Sequence, residues 1–158
     1  MKSALFNGSF DPITNGHMSV IERVAGEYDT LFVGVLINEN KIGKFSLVDR
    51  LGMVSAATAN IKNVVPVLWT GTTLELCALL NIREVIRGVR SDADIEYDKK
   101  LMTGYDFSGA GVTVRFVSAD DDTKDISSTL VRSTVDEAEL SRLVPESVFE
   151  FVKKHIKK

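Results

Sequence analysis

Apolar and polar positions alternate along this chain in short blocks of two kinds. Ala4 to Phe6 is apolar and predicts a strand. Val20, Ile21, Val24, Ala25 and Tyr28 then recur at helical spacing on one stripe. Leu31 to Ile37 is continuously apolar, as expected of a strand buried on both faces. Ser46-Leu47-Val48-Asp49 reads as a capping-box-like start, with Asp for the usual Glu, for a helix to about Ala59. Val64 to Leu68 predicts a third strand, and Pro66 suits it to an edge or irregular position. Thr73 to Leu80 predicts a helix and Glu84 to Ile86 a short strand. Ser91-Asp92-Ala93-Asp94 opens another helix, through about Met102. The glycine-containing stretch Thr103 to Gly111 predicts a loop, Val112 to Val117 a fifth strand, and the acidic stretch Ser118 to Asp125 a second loop. Short helices follow from Ser127, with Pro145 at a helix start and lysines in the last turn. This order predicts an α/β fold: a doubly wound, five-stranded parallel sheet with helices on both faces. Residues 1–158 form one domain ending in helices, with no internal repeat, linker or low-complexity tract.

Composition narrows the function without naming it. A chain of 158 residues, 44% hydrophobic and 26% charged, is long enough to bury a sizeable core. A net charge of −3 argues against a general nucleic-acid or membrane binder, so any anionic ligand must be met by local positive charge. The single cysteine, Cys77, rules out an internal disulfide and lies in an apolar helical stretch, where a buried inert thiol is expected. Two histidines, His17 and His155, are too few for a histidine-rich metal cluster. The first six residues start a strand and not a signal peptide, and no apolar run reaches the ~18 residues of a membrane span. A cytoplasmic protein is expected.

The residues that carry chemistry cluster just after predicted strands. After the first comes Gly8-Ser-Phe-Asp-Pro-Ile-Thr-Asn-Gly-His17, a glycine-punctuated loop running into a helix start. Free backbone N–H groups and the positive end of a helix dipole meet there, which suits an anion. After the second strand comes Asn38 to Phe45, with Lys41 and Lys44. Arg87-Gly88-Val89-Arg90 and the acidic run to Asp98 follow the fourth strand, and Ile126-Ser-Ser-Thr-Leu-Val-Arg132 follows the fifth. Each group alone has an ordinary explanation. His17 could be a cap or core histidine, the lysines solvated, the arginines paired with Asp92, Asp94 or Glu96, and Ser127 an N-cap. Ligands of open α/β sheets bind beyond the carboxyl ends of the strands, and all four groups fall there. Together they make a polyphosphate site. The P-loop, the Gly-x-Gly-x-x-Gly fingerprint and the Gly-x-Ser-x-Gly elbow are absent. So is a nucleophile with an adjacent base, which fits a reaction whose nucleophile is the substrate's own phosphate monoester.

The ten residues Gly8 to His17, with their Thr-x-Gly-His ending, resemble the signature of the nucleotidyltransferase superfamily. All four groups, in order and spacing over nearly the whole chain, resemble the bacterial phosphopantetheine adenylyltransferases. The resemblance implies a Rossmann-like nucleotidyltransferase fold and transfer of AMP from ATP to 4′-phosphopantetheine. Its products are 3′-dephospho-coenzyme A and pyrophosphate. It implies Mg²⁺ carried by the ATP phosphates, no metal ligands from the protein, a homohexamer, and dephospho-coenzyme A or coenzyme A as product or inhibitor. By resemblance, Thr14, His17, Lys41 and Arg90 are catalytic. Ser9, Phe10, His17, Gly88, Arg90, Asp98, Ser127, Ser128 and Thr129 bind ATP. Ser9, Lys41, Arg87, Thr72, Thr73 and Leu74 bind the acceptor. The chain departs from the family pattern at Ser9 (usually Thr), Asp98 (usually Glu), Thr103 to Tyr105, and Asp122 to Asp125. Other small nucleotidyltransferases, acting on nicotinate mononucleotide, glycerol 3-phosphate or a sugar phosphate, and a non-catalytic nucleotide binder are the alternatives.

Overall fold

Residues along each strand divide between two cores. Ala4 and Phe6 of β1 (Ser3–Gly8), Leu31, Val33 and Val35 of β2 (Thr30–Leu36) and Ile86 of β4 (Glu84–Val89) enter one cluster. Leu5, Leu36 and Val85 enter the other. This is the side-chain alternation of strands covered on both faces. In the computed structural model, residues 1–37 and 43–156 are described; Lys41 lies outside them. The sheet is completed by β3 (Val64–Trp69) and β5 (Thr113–Ser118), all strands pair in parallel, and the order is β3-β2-β1-β4-β5.

The larger core is closed by α1 (Asn15–Val24), α2 (Leu47–Thr58) and the C-terminal helices α5 (Ser128–Ser133), α6 (Glu137–Leu143) and α7 (Glu146–Ile156). Leu76 and Cys77 of α3 (Thr73–Leu80) anchor the smaller core. The remaining helix, α4 (Asp92–Leu101), follows β4. The chain leaves β1 toward β2 and β3, then returns past β1 to β4 and β5. The reversal leaves a crevice beyond the carboxyl ends of β1 and β4, where such sheets bind ligands.

The predicted elements are all present, and the differences lie at their ends. The apolar stripe runs to Tyr28, but α1 stops at Val24 and a 3-10 turn spans Ala25–Glu27. Gly26 sits in that turn, where an α-helix is costly to continue. Tyr28 is extended instead, and its hydroxyl donates to Glu84 Oε1 at 2.7 Å. Pro66 does lie on the edge strand, opposite Val33. β4 runs three residues past its predicted end. Arg87, Gly88 and Val89 pair with Phe116, Val117 and Ser118 of β5. Arg87 and Gly88 are therefore strand residues, and their positions are set by the sheet.

Candidate active site

The first loop turns sharply after β1. Phe10 adopts a left-handed conformation (φ 46°) and buries its ring, and the Asp11–Pro12 peptide is cis. Thr14 then caps α1 in a reciprocal box. Its Oγ1 accepts from the His17 N–H at 3.2 Å, and its own N–H donates to His17 Nδ1 at 3.0 Å. Gly16 permits close approach, since a Cβ there would lie 3.1 Å from the Ile126 carbonyl oxygen before α5. The His17 ring packs edge-on against Phe10, with centroids 4.8 Å apart, and near Phe6. Burial, then the charges of Arg87 and Arg90, push its pKa down to about 4. The ring is therefore neutral at pH 7. With Nδ1 occupied as an acceptor, the proton resides on Nε2. His17 is a fixed hydrogen-bond donor here, not a base.

Arg87 occupies the end of β4 in the same crevice. Its Nε and Nη2 donate to Asp98 Oδ2 and Oδ1 at 2.9 and 3.1 Å, a bidentate pair. Nη1 donates to the Asn7 backbone O and Oδ1 at 2.8 and 2.9 Å. Among the described residues, one of the five guanidinium N–H groups is left without a partner. Asp98 is 7% exposed and is committed to this pair. Arg90 is held more loosely. Its N–H and Nε donate to Asp94 Oδ2 at 2.8 and 3.2 Å, and its side chain is 45% exposed.

Asp11 ties the site together from beneath. Its carboxylate accepts from the N–H groups of Lys44 and Phe45, each at 2.9 Å, and lies 3.4 Å from Arg50 Nε and 3.7 Å from Arg132 Nη1. Arg132 Nη1 also donates to the Asp11 backbone O at 2.7 Å, and Arg50 Nε donates to Phe45 O at 2.9 Å. α5 is set against the same loop. Ser127 is its N-cap, accepting from the Leu130 N–H at 3.1 Å, and Ser128 Oγ donates to Pro12 O at 2.7 Å. Thr129 Oγ1 accepts from Arg132 Nη2 at 3.1 Å.

Two cavities open at this crevice. The larger, about 580 Å³, is lined by Ser9, Phe10, His17, Gly88, Arg90, Asp98 and Ser127 to Thr129 among others. The smaller, about 460 Å³, is lined by Thr72, Thr73, Leu74, Met102, Tyr105 and Phe107 among others. Asn7, Gly8, Ser9, Arg87, Tyr97 and Asp98 line both. In the larger cavity four arginines (Arg50, Arg87, Arg90, Arg132) face three aspartates (Asp11, Asp94, Asp98), so an acidic chain presents local positive charge. Thr14, at 1% exposure, lines neither cavity; it holds His17.

Sequence reasoning did not single out Asn7, Asp11, Arg50 or Tyr97 as site residues. Asp11 stood inside the first motif. Asn7 and Arg50 sit within a strand and a helix, and only their contacts reveal them. The ordinary pairing considered for Arg90 with Asp94 does form, whereas Arg87 takes Asp98, eleven residues on, at the far end of α4.

The cytidylyltransferase-like family matches residues 5–134, and the chain is a member of this class of nucleotidyltransferases. Over 151 residues it is 34% identical to the phosphopantetheine adenylyltransferase of Staphylococcus carnosus, covering 95% of this chain and 94% of that one. It is 31% identical over 158 residues to the Leuconostoc citreum phosphopantetheine adenylyltransferase, covering 99% of each. The chain belongs to the phosphopantetheine adenylyltransferase family. A solved structure from Vibrio parahaemolyticus, provisionally assigned as a nicotinate-nucleotide adenylyltransferase, shares the fold. Its TM-score is 0.68 at 20% identity, over 96% of this chain and 99% of that one.

Proposed function

We propose that the protein transfers AMP from ATP to 4′-phosphopantetheine, the penultimate step of coenzyme A synthesis. The observation that carries this reading is the meeting of two cavities at Ser9 and Arg87. The larger takes ATP and the smaller takes the pantetheine arm, so the acceptor phosphate lies at their junction. A phosphate oxygen of the acceptor attacks the α-phosphorus of ATP. The new P–O bond forms, the bond from the α-phosphorus to the oxygen bridging to the β-phosphorus breaks, and that oxygen leaves with pyrophosphate. The acceptor phosphate is already an anion near neutral pH, so no general base is required.

The protein positions the reactants and stabilises charge. His17 donates from Nε2 to the phosphoryl oxygens as charge grows on them. Arg90, with Ser127, Ser128 and Thr129 at the start of α5, takes the β- and γ-phosphates. The free N–H of Arg87, with Ser9 and Lys41, takes the acceptor phosphate. Gly88 and Asp98 flank the adenosine, and Thr72, Thr73 and Leu74 line the arm. Among the described residues there is no group of three His, Cys, Asp or Glu side chains suited to a metal. In this proposal Mg²⁺ is carried by the ATP phosphates, where it would supply charge neutralisation.

The reading carries with it a cytoplasmic setting and a homohexamer, with dephospho-coenzyme A or coenzyme A as product or inhibitor. Among the described residues no helix is long and apolar enough to cross a membrane. Pyrophosphate release measured across candidate acceptors tests the activity. 4′-Phosphopantetheine should support release, and dephosphorylated pantetheine should not. Release with nicotinate mononucleotide or glycerol 3-phosphate, and none with phosphopantetheine, rejects the assignment. Light scattering on the eluted protein tests the assembly.

A further inference from the structure

The partition between the two cavities contains Asn7, a residue that the reaction scheme above does not use. It is the penultimate residue of β1 and lines both cavities. Its backbone O and Oδ1 accept from Arg87 Nη1 at 2.8 and 2.9 Å, and its Nδ2 donates to Thr73 Oγ1 at 2.8 Å. The orientation of the amide follows from its partners. A guanidinium offers only donors, so the oxygen must face Arg87 and the nitrogen is left for Thr73.

Thr73 opens α3, and the start of that helix is fixed independently. Thr72 and Glu75 form a reciprocal capping box with two bonds of 3.2 Å, and Trp69 Nε1 donates to Thr72 O at 2.9 Å. Asp98 grips the other edge of Arg87 from α4. Among the described residues, Asn7 alone is hydrogen-bonded to both the Arg87 guanidinium and the first turn of α3.

We propose that Asn7 is a positioning residue that couples recognition of the acceptor's phosphate to recognition of its arm. The inference rests on the proposed function, in which Arg87 takes the phosphate and Thr73 lines the arm cavity. Because the start of α3 is fixed, the amide holds the guanidinium at a set position relative to the arm cavity, in the geometry that meets the phosphate.

The test is a double-mutant cycle on acceptor KM at saturating ATP, with Asn7→Ala, Thr73→Val and the double variant, alongside Thr73→Ser. Asn7→Ala should raise the KM for phosphopantetheine about tenfold, the usual effect of losing a hydrogen bond to a charged group. The KM for ATP and the melting temperature should stay near wild type. Thr73→Val should raise acceptor KM, Thr73→Ser should restore it, and the double variant should be no worse than Asn7→Ala alone. That non-additivity shows that Asn7 and Thr73 act through one another, and the acceptor-only rise in KM at an unchanged melting temperature separates this from structural damage. An unchanged acceptor KM in Asn7→Ala, additive effects, or equal rises in both KM values would overturn the inference alone. A wild-type enzyme inert toward phosphopantetheine would overturn the substrate reading and this inference with it.

Discussion

Thr14 and His17 hold each other. The Thr14 N–H donates to His17 Nδ1 at 3.0 Å while Thr14 Oγ1 accepts from the His17 N–H at 3.2 Å. One bond caps α1 and the other selects the imidazole tautomer. The same four-residue motif thus starts a helix and fixes the orientation of the imidazole.

His17→Ala should therefore keep the fold and lose turnover. A preorganised donor acting on transition-state charge is worth roughly 10²–10³-fold in kcat. Steady-state kinetics with substrate binding measured separately would show kcat falling far more than affinity. Near-wild-type turnover would remove His17 from the mechanism. Thr14→Val keeps the N–H that holds Nδ1 but removes the hydroxyl that caps α1, so it should show only a smaller part of the same loss.

The depressed pKa of His17 makes a claim about stability and pH. Its value is about 4 in the folded protein, against an ordinary 6.5. Between these values the unfolded chain binds a proton that the folded chain refuses. Stability from this group is thus fully present above pH 6.5 and is lost as pH falls toward 4. Urea denaturation from pH 7 to pH 4 should show a steeper decline for wild type than for His17→Gln. Parallel curves would contradict the assigned shift.

The two arginines of β4 and the turn after it should separate the substrates. Arg90→Ala should raise the KM for ATP, and Arg87→Ala that for the acceptor. Each change removes charge-assisted bonds worth roughly 1.5–3 kcal/mol. Arg87→Ala also strands the buried Asp98 carboxylate, so its melting temperature should fall too. A shared effect on both substrates from both variants would reject the division of labour.

Asp11→Ala should destabilise strongly. It removes the acceptor for two backbone N–H groups and the partner of Arg50 and Arg132. Breaking a buried charge pair from one side costs about 3–5 kcal/mol. Chemical denaturation would register this as a lower midpoint. A change under about 0.5 kcal/mol, typical of surface substitutions, would mean that the carboxylate is not holding this junction.

Cys77 should resist modification. It is 1% exposed, and burial pushes its pKa up to about 11. A thiol-reactive chromophore at pH 8 should label it only in denaturant. Rapid labelling of the folded protein would show the smaller core to be open.

Local pattern sufficed for most of the fold. The alternation of apolar runs with helical stripes identifies five strands and the helices between them, because backbone propensity and side-chain period are local properties. The same holds for the first motif. Capping chemistry acts over three residues, so Thr14 and His17 were legible as a helix start before any contact was known. Pro66 announced an edge strand through its missing N–H. Other features depend on distance in space and not in sequence. The stripe ending at Tyr28 suggested more helix than exists, since pattern alone does not record that the Tyr28 hydroxyl finds Glu84. Arg87 and Gly88 read as loop because their strand character comes from pairing with β5. Which acid partners Arg87 was decided by the packing of α4 on β4, which brings Asp98 within reach while Asp94 stays with Arg90. Asn7 had no signal at all. An asparagine before a glycine is ordinary, and its meaning arises only where β1, β4 and the start of α3 converge and leave one amide between a guanidinium and a hydroxyl.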